Sequence, residues 1–188
     1  MIGKIENAVI QKIKSADLGY RLKLVESYKA QFDDDLVKLV KTSAPAVWVA
    51  FTGEDNTQNT AKGMECTASF SIIVLTRNVR NERSARFGDK QGEVGTYQIL
   101  QDIKALLHGS DVGLNIVPFQ HKRTVPLLNT AVSGFFASVF ALEFETSYVM
   151  AAADKTGGDL AEFLRLHADW ELPEFNSETL TNIRGKNE

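Results

Sequence analysis

Gly134-Phe-Phe-Ala-Ser-Val-Phe-Ala-Leu-Glu-Phe-Glu-Thr-Ser-Tyr-Val149 is the longest run of strand-type alternation in the chain. Phe136, Phe140, Leu142, Phe144 and Tyr148 fall on one parity, with Phe135, Ala137, Val139, Ala141, Glu143 and Glu145 on the other. Successive side chains of a strand point to opposite faces of its sheet, so this stretch has one apolar face and a second that turns acidic towards its end. Met64, Cys66, Ala68, Phe70, Ile72 and Val74 repeat the pattern, opposite Glu65, Thr67, Ser69, Ser71 and Arg77. Two long strands of this kind predict an α+β fold, a mostly antiparallel sheet with helices packed on one face.

Working outward, Ile2, Ile5, Val9 and Ile13 recur at spacings of three and four, the stripe of an amphipathic helix that ends near Asp17 to Gly19. Tyr97, Leu100, Ile103, Leu106 and Leu107 mark a second helix over Thr96 to His108, closed by Gly109. Tyr20 to Tyr28, Ala46 to Phe51 and Leu114 to Phe119 read as short strands, the last pushed to a sheet edge or bend by Pro118 and continued by the polar Gln120 to Arg123. Glu54 to Gly63, Asn78 to Gly92 and Thr124 to Ser133 are polar or aperiodic and are expected to be connections. Asp33, Asp34 and Asp35 stand ahead of Leu36, Val37, Leu39 and Val40. Consecutive helical residues point apart, so the three aspartates suit a helix N-cap and first turn better than a metal site. Residues 1–150 are therefore expected to form one domain, with a linker and a C-terminal arm containing a short helix over 151–188.

The 188 residues suffice for one sizeable core, and an apolar fraction of 44% is that of a globular chain. A formal net charge of -3 argues against a protein that coats nucleic acid. The first residues lack an apolar leader and no run of about twenty apolar residues occurs, so synthesis in the cytosol and no membrane partner are expected. The single cysteine, Cys66, excludes an internal disulfide and reads as a buried, inert thiol.

Catalytic signatures are missing. His108, His121 and His167 lie far apart without Cys or carboxylate partners at metal spacing, and no Gly-x-Ser-x-Gly elbow occurs. Gly88, Gly92 and Gly95 precede a helix, but no Gly-Lys-Ser/Thr follows and no strand leads in, which leaves loop flexibility and a helix entry. No catalytic residue, metal or cofactor is expected. Three surfaces remain as candidates. Arg77, Arg80, Arg83, Arg86 and Lys90 form the basic stretch, a contact for a partner or for passing DNA. Phe163, Leu164, Trp170, Leu172 and Phe175 lie in the C-terminal arm, which can fold back on its own domain or lie across a neighbouring subunit. Glu65, Ser69, Ser71, Glu143 and Glu145 make the exposed face of the sheet.

With these elements in order, residues 2 to about 150 resemble the tail terminator proteins of Mu-like contractile-tailed phages and prophages. The resemblance rests on Pro45-Ala-Val-Trp-Val-Ala-Phe-Thr-Gly53, on Phe70-Ser-Ile-Ile-Val-Leu-Thr-Arg-Asn-Val-Arg80, and on Gly95-Thr-Tyr-Gln-Ile-Leu-Gln-Asp-Ile-Lys-Ala-Leu-Leu-His-Gly109 before the final long strand. It implies an α+β subunit of a homohexameric ring at the head-proximal end of the virion tail. Such a ring caps the tail tube and sheath and presents a surface to the neck or head connector. Another neck or baseplate component is the alternative within the class, and a small cytosolic ligand-binding domain the alternative outside it.

Overall fold

The computed structural model describes residues 1–29, 39–40, 43–60, 63–89, 92–132 and 134–151. The elements are helix α1 (Ile2–Ser15), strands β1 (Leu24–Ser27), β2 (Ala46–Thr60) and β3 (Gly63–Asn78), helices α2 (Glu82–Phe87) and α3 (Thr96–Leu107), and strands β4 (Gln120–Val132) and β5 (Phe135–Ala151). One sheet takes the strands in the order β1-β2-β3-β5-β4. Every pairing is antiparallel except that of β1 with β2. The α+β class and the mostly antiparallel sheet expected from the alternation are what the chain forms.

The two alternating stretches are the centre of this sheet. β3 and β5 pair without a register shift from Gly63 opposite Ala151 to Asn78 opposite Phe136. That register sets Phe70 against Phe144, Ile72 against Leu142 and Val74 against Phe140, so the apolar parities share a face. α1 supplies Ile5, Val9 and Ile13 to that face, and α3 supplies Ile99, Leu100, Ile103 and Leu107. Ile99 is fully buried although the expected stripe omitted it, whereas Tyr97 and Leu106 are only partly buried. Aromatic edges interlock within the core, Phe119 meeting Phe70 at 6.0 Å and Phe144 at 6.3 Å between ring centres.

The opposite face is apolar over one half of its length. Trp48, Ile73, Leu75, Ala137 and Val139 form a second cluster there with Val40 and Ala44. Over the other half it carries Ser69, Glu143, Glu145 and Thr67, which is where the odd parity of β5 turns acidic.

Three expectations differ from the structure. Glu54 to Thr60, expected as a loop, continues β2, and with β3 and the end of β5 it makes a three-stranded tongue running past the start of β4. Glu54 to Asn59 are exposed, and the cross-strand ladder satisfies the backbone whatever the side chains, so a polar strand carries no alternation to read. Leu114 to Phe119 is irregular, and the strand is instead Gln120 to Val132, so that Gln120 to Arg123 are strand as expected while Thr124 to Val132 had looked like a connection. Pro126 concealed it: β4 is the edge strand, and its register shifts between Pro126 and Leu128, the position where a sheet accepts proline. Finally, the aperiodic stretch after Asn78 contains α2, too short at six residues to show a period. Asp33 to Asp35, Lys90 and the whole of 152–188 lie outside the described residues.

Candidate functional site

The basic stretch is held firmly. Asn78, almost fully buried, accepts the Arg80 backbone N–H on Oδ1 at 2.8 Å and donates through Nδ2 to Glu93 Oε2 at 2.7 Å. Asn81 caps α2 by accepting the Ser84 N–H at 2.7 Å. The buried hydroxyls of Thr76 and Thr96 share a hydrogen bond at 2.6 Å and stand 2.7 and 3.1 Å from the Ala85 carbonyl, which accepts the proton left over from that bond, and this ties α2 to β3 and α3. Gly88 and Gly95 bring the backbone of the α2 C-terminus against the start of α3, so close that a Cβ on Gly95 would stand 2.2 Å from the Gly88 nitrogen.

On this frame the arginines divide. Arg80 pairs with Asp89 at 3.5 Å, and Arg86 with Glu82 one helical turn away at 3.3 Å. Arg83 is exposed and lies over the Phe87 ring at 5.5 Å, with Phe87 itself 62% exposed. Arg77 has its guanidinium 4.8 Å from the centre of the Phe135 ring. The α2 surface is thus a fixed, partly neutralised patch with one exposed aromatic.

The expected open sheet face is partly occupied by its own neighbours. Glu143 Oε2 accepts from Arg123 Nε at 2.6 Å, and Glu145 Oε2 meets Lys122 Nζ at 2.8 Å, both cations coming from the edge strand β4. Ser71, expected to be exposed, is 8% exposed because it sits in the register between Ala50 and Glu143. Glu65 and Ser69 are half-buried. Thr67 is linked through its hydroxyl to Thr57 at 2.9 Å and Ser147 at 2.8 Å, a polar rung across the tongue. On the other face of the tongue Glu54 accepts the Tyr148 hydroxyl. Burial and the Glu54 carboxylate push both the Tyr148 phenol and the Cys66 thiol up, and Cys66 is buried as expected.

Two histidines isolated in the sequence meet in space. His108 Nδ1 accepts the His121 backbone N–H at 3.2 Å, and both line a shallow cleft of about 390 Å³ with Lys104 and Ala105. His121 is held below its ordinary value chiefly by burial, then by the Lys104 charge. Among the described residues no group of three or more His, Cys, Asp or Glu is placed to hold a metal ion.

A basic region that the linear reading missed lies where α1 ends and the chain enters β1. One cleft of about 260 Å³ is lined by Tyr20, Arg21, Lys23, Pro45, Arg77 and Glu93. A second, of about 320 Å³, shares Tyr20, Arg21 and Lys23 and adds Lys14 with the apolar Ile13, Leu18 and Leu22. Tyr20 lines both, its hydroxyl donating to Asp102 Oδ2 at 2.9 Å, and burial with that carboxylate raises its pKa. Lys14, Arg21 and Lys23 are exposed and pair with no carboxylate among the described residues. These cations are spread over helix, connection and β3, so no local run announces them.

With the geometry in place, the chain can be set beside known proteins. The bacteriophage Mu Gp37 family matches residues 1–149. The chain belongs to that family. The Mu-like prophage FluMu protein gp37 of Haemophilus influenzae (strain ATCC 51907 / DSM 11121 / KW20 / Rd) is 26% identical over 159 residues, covering 85% of this chain and 75% of the relative. Among solved structures, a chain from the virion of native gene transfer agent (GTA) particle is similar at a TM-score of 0.47 and 15% identity, over 78% of this chain and 97% of its own length. The resemblance to a Mu-like phage family carried by Pro45 to Gly53, Phe70 to Arg80 and Gly95 to Gly109 therefore holds. The Gp37 match takes in the α2 arginines, the basic double cleft and all of the sheet but the last two residues of β5. No helix among the described residues is long and apolar enough to cross a membrane.

Proposed function

We propose that this Gp37-family chain is a structural protein of a Mu-like phage particle that acts as its tail terminator. The family match over residues 1–149 is the observation that carries the reading. Copies form a ring, six by resemblance, at the head-proximal end of the tail. The ring stops tube and sheath growth and offers a surface for the neck or head connector, with DNA only as passing cargo. The protein works as an assembly part and not as an enzyme. A body of residues 1–150 makes the ring, and the C-terminal arm, through Phe163, Leu164, Trp170, Leu172 and Phe175, lies on a neighbouring copy.

The α2 surface supports a contact with an assembly partner or the DNA path. It is exposed, yet pinned by buried hydrogen bonds of Thr76, Thr96 and Asn78, so presenting it costs little ordering on binding. Replacing Arg80, Arg83 and Arg86 together with Ser removes two ion pairs and the contact of Arg83 with the Phe87 ring; Asp89, whose side chain is 8% exposed, keeps the Asn78 amide as a donor, so the fold should survive. Particle assembly or DNA retention should fail, and a normal infectious yield refutes a role for this patch. The terminator reading itself is tested by locating the protein in purified particles with antibody-labelled electron microscopy. Label at the baseplate, or none on the tail, overturns it.

A further inference from the structure

The double cleft around Tyr20 has a chemistry that narrows its ligand. Lys14, Arg21, Lys23 and Arg77 bring positive charge to its rim, while Ile13, Leu18 and Leu22 line its inner wall. A nucleic-acid backbone would use the charge and leave the apolar wall in contact with nothing suited to it. No exposed aromatic side chain lines either cleft to stack a base; Tyr20 is half-buried with its hydroxyl committed to Asp102. The combination fits a peptide that alternates acidic with aromatic or aliphatic side chains.

This chain carries such a peptide. Between Asp159 and Glu178 the acids Glu162, Asp169, Glu171 and Glu174 are interleaved with Phe163, Leu164, Trp170, Leu172 and Phe175, against a single arginine, Arg165. From the geometry we infer that the basic double cleft of one copy receives the acidic, aromatic segment 159–178 of a second copy. Reach favours the second copy. The described chain leaves the sheet at Ala151, opposite Gly63, whereas Arg77 stands near the other end of the same strand β3. At about 3.3 Å per residue the two points are about 45 Å apart. To reach its own cleft, the run from Ala151 to Asp169 must stretch to about three-quarters of its full length. A neighbouring cleft near the tip of the tongue asks for no such extension. In this arrangement the carboxylates meet Lys14, Arg21, Lys23 and Arg77, and the aromatic rings cover Leu18 and Leu22. The inference rests on the reading that copies of the chain assemble, and not on where in a particle they do so.

Zero-length carbodiimide cross-linking, which joins a lysine amine to a carboxylate with loss of water, tests this on the full chain. Two forms are produced together. One carries Lys14→Arg and Lys23→Arg, so its cleft cannot be linked; the other carries Asp169→Asn, Glu171→Gln and Glu174→Gln, so its arm centre cannot be linked. Links from Lys14 or Lys23 of the second form to Asp169, Glu171 or Glu174 of the first can arise only between copies, and they are the expected result. Adding Arg21→Glu and Arg77→Glu to the second form should lower their yield about fivefold, as loss and reversal of exposed ion pairs implies. No such link between the two forms, alongside links within the unmodified chain, overturns the second-copy assignment. No link from either lysine to the arm in any form overturns the cleft as its seat. If a DNA oligonucleotide binds tightly and abolishes the links, the cleft belongs to phosphate and the inference fails. Links between copies from a protein that is absent from the head-proximal tail end would sink the terminator reading and leave this one standing.

Discussion

Gly95→Ala should detach α2 from the body. Gly95 has φ -88°, open to any residue, so alanine brings no backbone strain and the cost is one of space. The added Cβ would lie 2.2 Å from the Gly88 nitrogen, 2.3 Å from the Arg86 carbonyl oxygen and 2.4 Å from the Phe87 carbonyl carbon. All three are backbone atoms, so no side chain can swing aside, and relief requires α2 to move by about 1 Å against the Thr76 and Thr96 hydrogen bonds. Overpacking costs about 1 to 3 kcal/mol, and a site blocked entirely by backbone belongs at the upper end, about 3 kcal/mol. For a chain of this length that lowers Tm by about 6 to 12 °C. Urea unfolding followed by far-ultraviolet circular dichroism at fixed protein concentration measures it. Gly3→Ala is the control: it lies in α1 with nothing within 4 Å of the new Cβ, and should gain about 0.5 kcal/mol from helix propensity alone. A loss below about 0.5 kcal/mol for Gly95→Ala would refute the argument that this glycine is fixed by the α2 backbone.

Two further outcomes follow from the packing and charge of the body. Phe70→Ala removes a ring that is 1% exposed and interlocked with Phe51 and Phe119, and should cost about 3 to 5 kcal/mol in a denaturant titration, whereas Phe87→Ala, 62% exposed, should cost under about 1 kcal/mol. His121 is held low chiefly by burial, so the fold prefers its neutral form; the stability this provides is complete above the ordinary histidine value of about 6.5 and is lost as pH falls below it. The urea midpoint of the wild type should therefore fall more steeply from pH 7 to pH 5 than that of His121→Gln, and parallel declines would show that His121 is not the titrating group.

The centre of the sheet was legible because β3 and β5 are long and have one face buried along most of their length. Burial of one face imposes a period of two on the side chains, and a one-residue slip would turn that face to solvent. The helices were legible for the same reason at their own period, down to Ile5, Val9 and Ile13 in α1. Where neither face is deeply buried the signal vanished. Glu54 to Thr60 is a strand of polar residues, and β4, at the sheet edge, holds a proline that reads as a break. Six residues of α2 complete under two turns, so no stripe could show.

The candidate surfaces divide along the same line. The cluster of Arg77, Arg80, Arg83 and Arg86 was visible because it is continuous in sequence, but whether each arginine is free was not. The partners Asp89, Glu82 and the Phe87 and Phe135 rings are set by the α2 turn and by strand register. Glu143 and Glu145 looked open because their partners Arg123 and Lys122 come from the edge strand that the alternation did not reveal.

By itself, then, the sequence determined the parity of the two central strands and the two long helices, features written in local spacing, and it carried the resemblance to a Mu-like family. Only the tertiary structure joined Lys14, Arg21 and Lys23 to Arg77, or His108 to His121, since those groups lie on different elements. Residues held together by local periodicity announce themselves along the chain. Residues brought together by strand register and chain reversal do not, because their distance in space is set by the sheet and not by their separation in sequence.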